Sequence, residues 1–291
     1  MDFVKMHGQG NDFVLLDRFS LQLEEEYGSL AQWLCDRHKG VGGDGLLVLL
    51  PSDKADVQMR IFNSDGSEPE MCGNGIRCLA RFAYDAGYVP GPSFGIDTLA
   101  GIKYITLEAK EDGEPDIQVD MGEPILRPDQ IPVKTPRAEA IGETLTVRGQ
   151  NGQDVEVTFT AVSMGNPHCV IFSPLLDEAY VNTLGPVIET APIFPKRTNV
   201  EFVRMDSRTE MTMRVWERGA GPTLACGTGA CASVVAAVLE GRADRKVVVH
   251  LAGGDLLIDW NENNRVYMKG SATYVFRGTI IDKDLGTGSL E

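Results

Sequence analysis

Two cysteines of this chain stand in the same short context, Cys72-Gly-Asn-Gly and Cys226-Gly-Thr-Gly, each just ahead of an apolar-rich run. The first N–H groups of a helix lack intrahelical partners, and the positive end of the helix dipole lies there, so an anion is favoured. The pattern predicts two acidified thiols, drawn from about 8.5 toward the neutral range where a group exchanging protons at physiological pH must titrate. The flanking glycines let a ligand approach, so the same N–H groups can hold a substrate carboxylate. Two such thiols presented to one cleft suit inversion of a carbon stereocentre. One, as thiolate, removes the proton from one face; the other, as thiol, returns a proton to the opposite face. Oriented N–H groups would stabilise the carbanion-like transition state beside the carboxylate. Simple packing competes with this, because a small thiol at a crowded helix start is often just buried. For a single C-G-x-G the packing reading is the stronger, and the matched pair reverses that. Cys35, Cys78, Cys169 and Cys231 have no such counterparts and are read as packing residues.

The likeness of the two contexts extends outward. Met59–Gly75 (MRIFNSDGSEPEMCGNG) lies on Met213–Gly229 (MRVWERGAGPTLACGTG) without a gap, at a constant offset of 154 residues. Ala83/Ala237 and Gly87/Gly241 continue the match, and Gly10-Asn11-Asp12 meets Gly165-Asn166-Pro167 at an offset of 155. The chain therefore reads as two similar domains in tandem. Each has a short strand (Met59–Phe62; Met211–Trp216), a polar or glycine-rich loop, and the C-G-x-G turn. A helix follows (Ile76–Ala86; Ala230–Leu239), stopped by Gly87 or Gly241. Alternating runs at Val155–Val162, Lys246–Leu251, Leu256–Trp260 and Val266–Lys269 predict mostly antiparallel strands around one helix per half, an α+β pattern. The expected division places Cys72 in residues 1–124, completed by a C-terminal strand around 272–282, and Cys226 in residues 125–271. Proline-rich Glu123–Arg137 is expected as the interdomain connection. Residues 283–291 form a polar tail whose Gly-Ser-Leu-Glu ending is set apart from the fold.

Composition narrows the function further. The 291 residues are 43% hydrophobic and 24% charged, ordinary for a globular chain long enough to bury a core. A net charge of −15, with no cluster of Lys and Arg, argues against nucleic acid as a partner. No apolar run approaches the ~20 residues that span a bilayer, and the opening MDFVKMHGQGNDF lacks the form of a secretory signal, so a soluble, cytoplasmic protein is expected. Six cysteines are too dilute for a disulfide scaffold. The four histidines are scattered, no C-x-x-C occurs, and no metal site is expected. Phosphate-loop and dinucleotide-binding glycine fingerprints are absent as well, which leaves side-chain chemistry.

The segment Asn63-Ser-Asp-Gly-Ser-Glu-Pro-Glu-Met-Cys72-Gly-Asn-Gly-Ile-Arg77 fits N-x-D-G-S-x₄-C-G-N-G-x-R at every fixed position. It is joined by Gly8–Phe13, Gly165–His168, Arg197-Thr198-Asn199, Glu217-Arg218-Gly219 and Ala225–Gly229. On these motifs nearly the whole chain resembles the diaminopimelate epimerase family. The resemblance implies two pseudo-symmetric domains, each a mostly antiparallel, barrel-like sheet wrapped around a central helix. It implies cofactor-independent interconversion of LL- and meso-2,6-diaminopimelate, with Cys72 and Cys226 as the acid/base pair and His168 and Glu217 assisting thiol ionisation. It further implies that Asn11, Asn63, Asn166, Asn199, Glu217 and Arg218 hold the substrate, and that the Gly73-Asn74 and Gly227-Thr228 backbones take the reacting carboxylate. Those types suit a molecule with two ammonium and two carboxylate groups: Arg pairs a carboxylate, Glu an ammonium, and Asn both donates and accepts. A homodimer is implied by the resemblance alone. Two departures stand out: many members carry Gln where this chain has Gly45 and Glu where it has Pro222, differences expected to touch substrate affinity or loop shape.

Other readings remain open at this level. Alone, Asn63 and Asp65 would be turn formers, His168 a satisfied loop histidine and Glu217-Arg218 a solvated pair. A proline or hydroxyproline racemase usually has His where Asn74 stands, and a phenazine-biosynthesis-type isomerase lacks the cysteine pair. A thiol-redox protein would use the same two cysteines to form a disulfide. A non-catalytic amino-acid-binding module explains the carboxylate cradles but not the paired thiols.

Overall fold

A computed structural model describes residues 1–19, 26–110, 114–149 and 152–281. The chain divides into two compact units. The first is Met1–Gln118 with the described residues from Ser271 onward; the second is Val119–Gly270. The expected tail, 283–291, lies outside the described residues.

In the first unit, strand Asp2–Gly8 pairs antiparallel with both Thr273–Thr279 and Asn11–Asp17. Asn11–Asp17 runs parallel to Gly45–Leu50, which pairs antiparallel with Val57–Asn63. That strand in turn runs parallel to Ser93–Thr98, whose antiparallel partner is Gly101–Glu108. Parallel neighbours need a crossover, and here each is a helix: α1 (Tyr27–Leu34) and α2 (Gly73–Asp85).

The second unit repeats this order and adds strands to it. Glu143–Arg148, Asp154–Ser163 and Pro167–Phe172 form the antiparallel set. Pro167–Phe172 lies parallel to Asn199–Met205 across α3 (Glu178–Glu189). Asn199–Met205 pairs antiparallel with Glu210–Glu217, which lies parallel to Lys246–Leu251 across α4 (Gly227–Leu239). Gly254–Trp260 and Val266–Gly270 extend the sheet antiparallel. Registers repeat as well: Leu46 faces Phe62 in one unit and Val200 faces Trp216 in the other, positions 154 apart. The fold is thus α+β with mostly antiparallel strands.

Helices α2 and α4 are the central elements. From Ala230 to Ala237 every residue of α4 is buried, as is every residue of α2 from Gly73 to Ala83, which is how a helix wrapped by strands must look. Each large apolar side chain so buried contributes about 1.5–3 kcal/mol. Both helices begin three residues earlier than the sequence pattern indicates, directly after the cysteine, because the glycines that read as loop form the first turn. Both end in the same Schellman motif. Gly87 and Gly241 have φ of 76° and 70°, and the next residues' N–H groups, of Tyr88 and Arg242, reach back to the Ala83 and Ala237 carbonyls.

Two expectations need correction. Each unit holds a second helix, where one was expected. Short α1 buries only three residues, and α3 contains Gly185 and Pro186, which read as breakers in a sequence. The proline-rich Glu123–Arg137 is not a linker but part of the second unit. Ile125 exchanges backbone hydrogen bonds with Ser163, and Ile131 and Val133 lie in the core with Phe159, Val200 and Phe202. Its prolines break the helical and strand patterns without removing the apolar anchors. Among the described residues no helix is long and apolar enough to cross a membrane, and no three His, Cys, Asp or Glu side chains cluster as metal ligands.

Candidate active site

Cys72 and Cys226 are the N-cap residues of α2 and α4, both in extended backbone conformation, with φ of −137° and −121°. Each therefore sits where unpaired N–H groups point outward.

In the first unit, the Gly75 N–H lies 3.5 Å from Cys72 Sγ, and the thiol lies 3.8 Å from Asn11 Oδ1. Asn74, 2% exposed, donates to that same Asn11 oxygen at 3.2 Å. The Asn11 carboxamide is turned this way by Asp44, which accepts from its Nδ2 at 2.7 Å. Arg37 bridges Asp44 and Asp12. Burial alone would raise the Asp12 carboxyl, but Arg37 and Lys5 outweigh it and hold it at about 2. Beneath the cap, fully buried Arg77 donates to the Gly73 carbonyl at 2.9 Å, Asn74 Oδ1 at 2.8 Å, the Ser271 carbonyl at 3.2 Å, and Gln9 Oε1. Asn63 ends its strand in an exposed turn, where its Nδ2 donates to Ser67 Oγ at 2.9 Å.

In the second unit, Cys226 is 5% exposed, with Thr228 Oγ1 3.5 Å from its sulfur. Burial, then the charges of Glu217 and Glu201, push the Cys226 thiol well above its ordinary value. The expected acidification therefore fails here: the helix end is present, but desolvation and two carboxylates outweigh it. Glu217 is itself raised, first by burial and also by Glu201, while a hydrogen bond from Thr223 opposes the rise. Asn166 donates to Thr228 Oγ1 at 3.2 Å and meets His168 Nε2 at 2.9 Å through its Oδ1. Asn199, buried, donates to the Pro167 carbonyl at 2.8 Å and accepts the Arg218 backbone N–H at 2.9 Å. The Arg218 guanidinium is exposed, with one contact to the Lys196 carbonyl at 3.3 Å.

Of the residues singled out by sequence, Asn11, Cys72, Gly73 and Asn74 thus come together at one helix end. Asn166, His168, Asn199, Glu217, Arg218, Cys226, Gly227 and Thr228 gather around the other. Asn63 stands in its turn with no hydrogen bond to the Cys72 group. Glu201 and Arg77 escaped the sequence reading. Glu201 is visible only as a charge inside the apolar strand Asn199-Val-Glu-Phe-Val, and Arg77 as a signature position without an assigned role. At Gly45 a Cβ would lie 2.8 Å from the Phe62 carbonyl, so the strands have closed on the glycine. Pro222 lies exposed in the hairpin opposite Trp216.

The fold is shared with solved structures of distant sequence. A phenazine biosynthesis protein of the PhzF family from Bacillus anthracis superposes with a TM-score of 0.71 at 20% identity, over 97% of this chain and 99% of that one. A hydroxyproline epimerase from Agrobacterium vitis gives 0.64 at 12% identity, over 96% and 91%. At these identities the likeness concerns the fold alone. Sequence goes further: the profile of the diaminopimelate epimerase family matches residues 3–126 and 160–275. The diaminopimelate epimerase of Desulfitobacterium hafniense is 58% identical over 98% of this chain and its own full length. Those of Heliobacterium modesticaldum and Methanococcus maripaludis are 55% and 48% identical, over 96% of this chain and 99% of theirs. The chain belongs to the diaminopimelate epimerase family.

Proposed function

We propose that this chain is the isomerase that interconverts LL- and meso-2,6-diaminopimelate, a step of lysine and diaminopimelate biosynthesis, using Cys72 and Cys226 as a thiolate/thiol pair and no cofactor. The observation that carries the reading is the pair of cysteines at equivalent N-caps in a chain 58% identical to a diaminopimelate epimerase. The chemistry requires both sulfurs to reach one Cα from opposite faces. Cys226, kept a thiol by burial and by the charges of Glu217 and Glu201, enters as the proton donor, and Cys72 is then the thiolate. In the reverse direction Cys226 must first lose its proton, and Glu217, the carboxylate whose charge acts most on the thiol, is the group to take it. The open N–H groups of Gly73-Asn74 and Gly227-Thr228 hold the reacting carboxylate, where they also lower the energy of the carbanion-like transition state. Asn11, Asn63, Asn166, Asn199 and Arg218 bind the remaining polar groups, with Glu217 and Arg218 suited to an ammonium and a carboxylate. The substrate is a small molecule, nucleic acid is not a partner, and the setting is a cytoplasmic homodimer.

The test is incubation of reduced protein with LL-diaminopimelate, following stereoisomers by chiral chromatography, with proline and hydroxyproline in parallel. Formation of the meso isomer alone is expected. Racemisation of proline with diaminopimelate untouched would reassign the substrate.

A further inference from the structure

Glu201 is fully buried, and no role in substrate binding or proton transfer has been given to it. Its Oε1 lies 2.7 Å from His168 Nδ1, and its Oε2 has no hydrogen-bond partner among the described residues, so its polar contact is with the imidazole. His168 is also fully buried, and its other nitrogen meets Asn166 Oδ1 at 2.9 Å. Asn166 Nδ2 in turn donates to Thr228 Oγ1, in the first turn of α4 two residues after Cys226. The chain of contacts has only one consistent proton arrangement at Asn166. A carboxamide oxygen can only accept, so Nε2 of His168 must carry a hydrogen. A carboxyl at Nδ1 accommodates this in either protonation state: it accepts from an imidazolium, or donates to a neutral ring protonated at Nε2.

We propose that Glu201 is a positioning residue for the Cys226 end of the site: it pins the His168 ring with Nε2–H on Asn166, which turns the Asn166 amide so that Nδ2 faces Thr228. The repeat supports this from the other unit. Counting by the strand registers, Phe13 and Leu47 stand where His168 and Glu201 do, and there Asn11 is turned by Asp44 instead, presenting its oxygen to Cys72. The two asparagines are equivalent in the fold and opposite in amide orientation, and different partners behind them account for it. Close packing adds to the pinning: a Cβ at Gly229 would lie 2.6 Å from Glu201 Oε1, so the carboxyl rests directly on the first turn of α4.

This inference rests on the epimerase reading for its kinetic arm, and the spectroscopic arm is independent of activity. Glu201→Leu, whose new side chain is the one the first unit carries at this position, should lower kcat/KM about tenfold or more. Glu201→Gln, which can still donate to Nδ1, should recover most of that loss. Asn166→Ala should cost more than Glu201→Leu, and the double variant should lose clearly less than the two single losses combined, since Glu201 acts through Asn166. Fully additive losses, or Glu201→Gln as damaging as Glu201→Leu, would overturn the positioning role. Wild-type protein with ¹⁵N-labelled histidine should show His168 protonated at Nε2. A ring protonated at Nδ1 only would reverse the Asn166 amide and overturn the proposal even if no variant folds. Wild-type protein inactive on diaminopimelate but protonated at Nε2 would refute the epimerase reading and leave this arrangement standing.

Discussion

The helix ends at Cys72 and Cys226 share everything the backbone supplies and differ in nearly everything the neighbouring side chains supply. Both thiols cap a thirteen-residue helix that starts on Gly-x-Gly and ends in a Schellman motif. Yet Cys72 is half-buried beside carboxamides, with buried Arg77 one turn further along its helix, whereas Cys226 is buried beside Glu217 and Glu201. At matching positions the first unit has Phe13, Leu47, Asn63 and Arg77; the second has His168, Glu201, Glu217 and Cys231. The helix dipoles are therefore common to both sites and cannot distinguish the thiols. What distinguishes them is the deeper burial of Cys226 and then the charge on the strands behind it. Duplicated scaffolding thus gives two thiols one backbone geometry and different surroundings.

The largest effects should come from the thiols themselves. Cys72→Ala and Cys226→Ala should each lower the epimerisation rate by about 10²–10⁴-fold or more, measured from both the LL and the meso side. Near-wild-type turnover in either variant would break the pairing. Next, Arg77→Met should destabilise the protein by about 3 kcal/mol or more in denaturant unfolding, because it strips donors from three buried acceptors and a fourth, half-buried one at once. Cys231→Ala, at the equivalent point of α4, should be much milder.

A smaller contrast lies in the glycines. A Cβ at position 75 would meet Leu47 Cδ2 at 3.0 Å and Ile61 Cδ1 at 3.2 Å, methyls that can turn aside. At position 229 it would meet the pinned carboxyl of Glu201. Both alanine variants should lose about 1–3 kcal/mol, with Gly229→Ala the worse by thermal unfolding. Equal losses would remove Glu201 as a source of the asymmetry.

The mildest test is pH. Burial raises the thiols of Cys35 to about 11 and Cys78 to about 12, and those of Cys169 and Cys226 go up as well. In the unfolded chain these groups ionise near 9 while the folded protein keeps them protonated, so stability should fall as pH rises above about 9. Iodoacetamide at pH 7.5 should label half-exposed Cys72 before Cys226, by mass spectrometry of digests.

Much of this was legible in the sequence. Cys72-Gly-Asn-Gly and Cys226-Gly-Thr-Gly announced the caps, Gly87 and Gly241 the stops, and the 154-residue offset the repeat, because glycine geometry and tandem spacing are local properties. What was not legible depends on burial and on partners distant in the chain. Nothing near Cys226 in sequence reveals how deeply it is buried or that Glu201 acts on it from another strand, so the acidification expected from the helix end is reversed in the fold. Likewise Ile131 and Val133, hidden among prolines, are core residues only because the sheet of the second unit closes over them.

The central claim is that one proton leaves through one sulfur and a different proton arrives through the other, and the direct measurement is epimerisation in D₂O. With LL-diaminopimelate and wild-type protein, early product should be meso carrying one α-deuterium, while unreacted LL stays protonated. Deuterium entering recovered LL as fast as it enters meso would mean that a single group handles both protons, and would contradict the account.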